Sequence, residues 1–201
     1  TGKSDYAVKL AKELAGLNHT SSMVGRTSQS EVLGEIISAD SRQVYKGLDI
    51  GSGKITEKEM QGVPHHLLDV ADPKEVFSVT QYQALATKAI DEIIARGHTP
   101  IICGGTGLYI DAVIYGTTFP AVEPNEELRE SLETLSVEEL SDKLQILDPR
   151  RYSEIDNKNK VRLIRAIEIA TALGSVPMTT RNPQYEVEWH YLDFPDDVLK
   201  E

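Results

Sequence analysis

No apolar run in the sequence approaches the roughly 20 residues that a bilayer span requires, so a transmembrane helix is excluded. Cysteine is almost absent. Cys103 stands alone, so an internal disulfide is impossible and nothing points to a secreted, cross-linked framework. A cytoplasmic location is the expectation that follows. Basic residues are in short supply too, 21 Lys and Arg against 32 Asp and Glu, for a formal net charge of −11. Taken alone this argues against a nucleic-acid partner, because phosphate binding relies on Lys and Arg, although a cluster of the few can outweigh the total. The first residues lack both an initiator Met and a signal-peptide pattern, and we read the true beginning as absent.

What is present fits a globular protein. The 201 residues suffice for one full domain with a small appendage, and 40% hydrophobic and 26% charged content is ordinary. The central stretch is Glu35-Ile36-Ile37-Ser38-Ala39-Asp40-Ser41-Arg42-Gln43-Val44-Tyr45. Its apolar start reads as a buried strand, and Asp40 to Gln43 then supply a carboxylate, a hydroxyl, a guanidinium and an amide in succession. Open α/β sheets present ligand-binding groups in this way, at the carboxyl ends of their strands.

Two other stretches bear on it. Thr1-Gly2-Lys3-Ser4 matches the end of a phosphate-binding loop, G-x-x-x-x-G-K-[ST], without its first glycine. Gly2 admits a phosphate close to the backbone, Lys3 neutralises it, and the Ser4 hydroxyl suits Mg²⁺. A helix predicted from about Asp5 to Ala15 would turn its N-terminal amides toward the same anion. Farther on, Thr99 to Cys103 reads as a second buried strand, with Cys103 a small core residue rather than a reactive thiol. It runs into Gly104-Gly105-Thr106-Gly107, where small residues leave room for a ligand or a neighbouring backbone and Thr106 adds a hydroxyl.

The remaining segments are read more coarsely. Residues 18–33 form a polar insertion. The Gly-rich stretch from Lys46 to Thr56 is open to two readings, a second loop at the site or a plain connector. A helix start is signalled at Thr56, and a short strand at Val63 to Val70. His65 and His66 are adjacent in that strand and face opposite ways, which disfavours a shared zinc ion and favours a hydrogen-bonded core histidine. Apolar spacing predicts a helix up to about Arg96, ended by Gly97, and another from Leu108 to Tyr115. Acidic residues then accompany two short helices ending at Asp148-Pro149. A helix beginning near Asn157 gathers Lys158, Lys160, Arg162 and Arg165, the one concentrated basic patch. Tyr185 to Asp193 alternates like a strand, and Pro195 to Glu201 opens like a helix.

In a doubly wound parallel sheet the G-K-S loop, the Asp40 cluster and the Gly104–Thr106 turn converge on one crevice. The reaction class is transfer involving a phosphate or pyrophosphate: a phosphoryl group moves to an acceptor, or pyrophosphate leaves while carbon moves. Composition does not choose between them.

Several motifs bear a family resemblance. Ser38-Ala39-Asp40-Ser41-Arg42-Gln43-Val44-Tyr45 followed by Gly47-Leu48-Asp49-Ile50-Gly51 resembles the signature of tRNA dimethylallyltransferases (tRNA isopentenyltransferases). So do Gly62-Val63-Pro64-His65-His66-Leu67, Gly104-Gly105-Thr106-Gly107-Leu108-Tyr109 and Val161-Arg162-Leu163-Ile164-Arg165-Ala166-Ile167-Glu168, in the same order. The resemblance implies an α/β fold, a P-loop NTPase-like doubly wound parallel sheet with a small helical insertion. Residues 1–116 and 150–201 would form the catalytic core and 117–149 the insertion, which contacts tRNA.

The implied activity is transfer of a dimethylallyl group from dimethylallyl diphosphate to N6 of the adenine adjacent to the tRNA anticodon, position 37, with release of diphosphate. Asp40 would be the general base and Thr106 would hydrogen-bond near the reacting centre. Thr1, Gly2, Lys3, Ser4 and Arg165 would hold the diphosphate, with Mg²⁺ on Ser4. Asp40, Ser41, Arg42, Gln43, Arg162 and Arg165 would contact tRNA, a guanidinium being well matched to phosphate. The target base must leave its stack to reach the crevice. The partners are then tRNA and dimethylallyl diphosphate, no membrane, and the protein is expected to act as a monomer. The resemblance departs in the missing first half of the phosphate loop and in the long 18–33 insertion. Family members also continue past this C-terminus with helices that help hold tRNA, which would account for the unfavourable charge. A P-loop small-molecule kinase and a non-catalytic nucleotide- or RNA-binding module are the competing expectations.

Overall fold

The computed structural model describes residues 2–17 and 33–192. The expectations for Thr1, for the 18–33 insertion up to residue 32 and for a helix from Pro195 fall outside those residues. The chain divides into two compact units. One comprises residues 1–117 and 181–201, the other residues 118–180. No helix among the described residues is long and apolar enough to cross a membrane.

The first unit is built on three parallel strands, β1 (Gly34–Ser38), β2 (His65–His66) and β3 (Thr99–Cys103), in the order β2-β1-β3. β1 is buried along its whole length, as an apolar strand covered on both faces must be. Its alternation distributes the core. Ile36, with Ile101 and Cys103, packs against Ala7, Val8 and Ala11 of α1 (Lys3–Leu17). Ile37, one residue on, faces the opposite way with Ile102. It meets Tyr82, Ile90 and Ile93 of α3 (Val79–Ala95) and Tyr109 and Val113 of α4 (Gly107–Ile114). Helices on both faces of a parallel sheet make this an α/β fold, in keeping with the P-loop NTPase-like class that the family resemblance implies.

Local signals operate where expected. Thr56 caps α2 (Glu57–Met60) in a capping box with Glu59, and Ser78 does the same for α3 with Gln81. Gly97 follows α3 with φ 77°. Two expectations differ. The strand expected over Val63 to Val70 shrinks to His65–His66, because the backbone turns left-handed at Leu67 and Asp69. Tyr185 to Leu192 form no strand, although Tyr185 and Val187 are half-buried in alternation. The stretch lies along the unit through other contacts: Tyr185 packs against the core around Ile37, and the Tyr6 hydroxyl meets His190 Nδ1 at 2.8 Å, while just before it Asn182 N–H donates to the Tyr115 carbonyl at 2.7 Å. Period-two alternation makes a ladder only where a free edge offers partners.

The second unit packs α5 (Glu126–Glu133), α6 (Val137–Leu147), α7 (Pro149–Glu154) and α8 (Lys160–Leu173) around Leu132, Leu140, Leu144, Leu163 and Ile167. This moves the boundary drawn from sequence. Residues 150–180, expected in the core, belong here because the apolar face of α8 is buried against α5 and α6. Asp148 and Pro149, expected to end the helices, begin another: Asp148 Oδ1 accepts from Arg151 N–H at 2.9 Å and caps α7.

Candidate active site

The site lies at the carboxyl end of the sheet in the first unit. β1 and β3 run in register to Ser38 and Cys103 and stay joined beyond them, Ala39 N–H donating to the Cys103 carbonyl at 2.8 Å. Gly104 then passes so close that a Cβ there would drive into the Ala39 backbone. Only glycine fits that crossing, which is why the two strand ends deliver their polar residues side by side.

Asp40 and Thr106 are the residues delivered, both half-buried. Asp40 Oδ1 accepts from the N–H groups of Arg42 at 2.8 Å and Gln43 at 3.3 Å, closing a turn on itself. Thr106 occupies the cap position of α4 yet makes no side-chain cap bond. Its hydroxyl accepts from Ser41 N–H at 2.9 Å instead, while its own N–H donates to the Ala39 carbonyl at 3.0 Å. The two motifs expected to cooperate are therefore hydrogen-bonded to each other. Tyr109, one turn into α4, stacks on Tyr82 with centroids 4.0 Å apart. Burial, then the neighbouring Tyr45 and the Asp40 charge, push its phenol pKa up. In the sequence Tyr109 stood out only as the last residue of the Gly104–Tyr109 motif, with no role attached.

The phosphate-loop residues reach the same end. Gly2 has φ 66°, and α1 starts at once behind it. The Cys103 thiol, at the last residue of β3, lies 3.6 Å from the Lys3 carbonyl and can donate to it. Burial pushes that thiol's pKa up, against the pull of the Lys3 charge. Lys3 is half-buried and Ser4 exposed. Their helix start, the Asp40 turn and the Thr106 turn thus all stand at the carboxyl edge of the sheet.

Of the residues expected from sequence to contact tRNA, Ser41 and Arg42 are exposed and Gln43 is half-buried, its amide donating to the Gly53 carbonyl at 3.3 Å. Arg162 and Arg165 belong to the second unit. Arg162 is exposed, 3.9 Å from Asp156. Arg165 is engaged internally: Nη1 binds Glu168 and Nη2 donates to the Val122 carbonyl at 2.8 Å. Glu168 also accepts from Arg129 at 2.9 and 3.0 Å and from Asn125 N–H at 2.7 Å. Of the paired histidines, His66 Nε2 lies 2.6 Å from the buried Glu35 carboxylate, and His65 Nδ1 lies 2.8 Å from the Val63 carbonyl. Lys54 was also overlooked; its partners come from a connector and from a segment beyond β2, which no local spacing announces.

The family described as IPP transferase matches residues 43–200. A tRNA dimethylallyltransferase of Exiguobacterium sibiricum is 47% identical over 173 residues, 84% of this chain and 50% of that protein. One of Bacillus subtilis is 42% identical over 177 residues, 86% of this chain and 51% of that protein. Among solved structures, the full-length tRNA isopentenylpyrophosphate transferase of Bacillus halodurans superposes with a TM-score of 0.51 at 44% identity, covering 87% of this chain and 53% of that one. A eukaryotic dimethylallyltransferase acting on tRNA superposes with a TM-score of 0.63 at 26% identity, covering 84% and 38%. The chain spans about half the length of the curated relatives it matches.

Proposed function

The chain belongs to the IPP transferase family, and on that premise we propose that it carries the catalytic residues of a tRNA dimethylallyltransferase. The observation that carries this reading is the direct hydrogen bond between the Asp40 and Thr106 turns, beside the start of α1. In the proposed reaction N6 of the adenine next to the anticodon attacks C1 of dimethylallyl diphosphate. The N–C bond forms, the bond from C1 to the diphosphate oxygen breaks, and the N6 proton passes to Asp40. Thr106 fixes the turn that presents Asp40 and orients a group at the reacting centre.

Thr1, Gly2, Lys3 and Ser4 hold the diphosphate at the amide end of α1, where partial positive charge stabilises an anion. Mg²⁺ suits this set, since a hydroxyl completed by substrate oxygens and water is a common way to hold it. Among the described residues no group of three or more His, Cys, Asp and Glu offers an all-protein cage. When bound, the ion would neutralise the departing diphosphate. Ser41, Arg42 and Gln43 face the RNA. The phosphate contact from α8 falls to Arg162, because Glu168 and Val122 occupy Arg165. The protein acts as a monomer in the cytoplasm. Kinase activity is not favoured, since the matched relatives are named for prenyl transfer to tRNA.

The test incubates full-length protein with labelled dimethylallyl diphosphate and unmodified tRNA. Label is expected in the tRNA; its absence, with phosphate transfer from ATP instead, overturns the proposal. Asp40→Asn is expected to lower kcat by about 10²- to 10⁴-fold. A fully active variant would remove Asp40 from the role of base.

A further inference from the structure

The connection between β1 and α2 contains a cation that the chemistry above does not use. The Lys54 side chain is 6% exposed. Its ammonium donates to the Tyr45 carbonyl at 2.8 Å, to Asp49 at 2.8 Å and to Asp69 at 2.5 Å. Three acceptors match the three donors of an ammonium, so the group is fully engaged within the protein. Burial alone would lower its pKa; the two carboxylates outweigh burial and raise it, so Lys54 stays charged.

These acceptors come from two segments that run alongside each other. Ala71 N–H donates to the Val44 carbonyl at 2.9 Å and Lys46 N–H to the Ala71 carbonyl at 3.0 Å, forming a parallel bridge between Tyr45 and Ala71. Gln43 stands at the head of this pairing. Its carbonyl accepts from Asp69 N–H at 3.3 Å, and its carboxamide donates to the Gly53 carbonyl at 3.3 Å. Lys54 governs both partners: Gly53 precedes it in the chain, and its ammonium binds the Asp69 side chain. Asp69 and Leu67 have φ of 55° and 64°, left-handed conformations that non-glycine residues rarely adopt. Such backbone persists where its surroundings over-determine it, and the Lys54–Asp69 contact is one such restraint.

We propose that Lys54 is a positioning residue for RNA recognition, holding the Gln43 carboxamide in one orientation through Gly53 and Asp69 without touching the RNA itself. The proposal rests on the reading above that Gln43 faces tRNA. A carboxamide with one N–H committed to Gly53 keeps its oxygen and second N–H for a base edge, the paired acceptor and donor that suit adenine.

The test is a double-mutant cycle in the full-length protein, with KM measured separately for tRNA and for dimethylallyl diphosphate. Lys54→Gln is expected to raise KM for tRNA by about 3- to 10-fold, the range of one lost hydrogen bond, with KM for the diphosphate unchanged. Gln43→Ala is expected to raise KM for tRNA as well, and the double variant to be no worse than Gln43→Ala alone. Additive effects overturn the proposal, as does an equal rise in both KM values, which marks Lys54 as general scaffolding. If Gln43→Ala leaves KM for tRNA unchanged, the tRNA reading of Gln43 has failed and the proposal falls with it. Should Lys54→Gln not fold, Asp49→Asn removes an ammonium partner that is itself 66% exposed. It is expected to raise KM for tRNA by a smaller factor, and no rise overturns the proposal.

Discussion

Glu35 is a carboxylate on the central strand with 4% of its side chain exposed. Arg96 binds both its oxygens, at 3.1 and 2.9 Å, His98 takes one at 2.7 Å and His66 the other at 2.6 Å. Burial by itself pushes this carboxyl up, but the hydrogen bonds of Arg96, His66 and His98 outweigh it and bring the pKa from 4.5 to about 2. The sign follows directly. A carboxylate with a depressed folded pKa adds stability above its unfolded value and loses it as pH falls. The contribution of about 3 kcal/mol is complete above pH 4.5 and disappears toward pH 2. Glu35→Gln is expected to destabilise by about 3 kcal/mol at neutral pH, because it removes that contribution while the 45% exposed Arg96 side chain can turn to water. Chemical denaturation from pH 2 to 6 should show a smaller acid loss in the variant than in the parent. Nothing near Glu35 in the sequence announces this: Arg96 and His98 lie 61 and 63 positions away. A lone acid opening a strand reads as a solvated end until those partners are in place.

Among the elements, β1 and β3 were legible because a run of branched apolar residues bounded by glycine and polar groups has few other solutions. Helix α2 was legible through its cap signal at Thr56–Glu59 and α3 through its apolar spacing, both of them local chemistry. Strand pairing is not local. The alternating stretch from Tyr185 looked like a strand, and its contacts run to the α3 core through Tyr185 and to Tyr6 through His190 rather than to a sheet edge. The Gly104–Thr106 turn was recognised for its small residues, but sequence left open what approaches so closely. The answer is the Ala39 backbone. Gly104→Ala is therefore expected to force β1 and β3 apart at their ends, costing roughly 3 kcal/mol or more as an overpacked core does. Prenyl transfer should fall further than thermal stability alone explains, because the same movement breaks the Ser41–Thr106 hydrogen bond. A drop in melting temperature with kcat intact would sever the link between that crossing and the site.

Across the whole molecule, the formal charge of −11 leaves few cations for an anionic partner, and several of those are already bound to carboxylates of the chain itself. Arg96 binds Glu35, Lys54 binds Asp49 and Asp69, and Arg129 and Arg165 share Glu168. The basic helix read from sequence as one patch therefore splits into two kinds of residue. Arg162, exposed and only loosely paired, remains a candidate for phosphate. Its change to Ala is expected to reduce the slope of log affinity for tRNA against log salt by about 0.7 to 0.9, leaving thermal stability unchanged. Arg165→Ala should instead lower the melting temperature, since Glu168 is 1% exposed at its side chain and loses a partner. A salt series with thermal melts on both variants separates the two roles.

The Cys103 thiol is half-buried, directed at the Lys3 carbonyl and held in its protonated form by burial. Thiolate is the species that maleimides and iodoacetamides attack, so this position is slow toward them. With no other cysteine in these 201 residues, the chain tolerates a reporter chosen by the experimenter. Ile50, 99% exposed between Asp49 and Gly51, is a natural place to attach a fluorophore, beside the connection that Lys54 fastens.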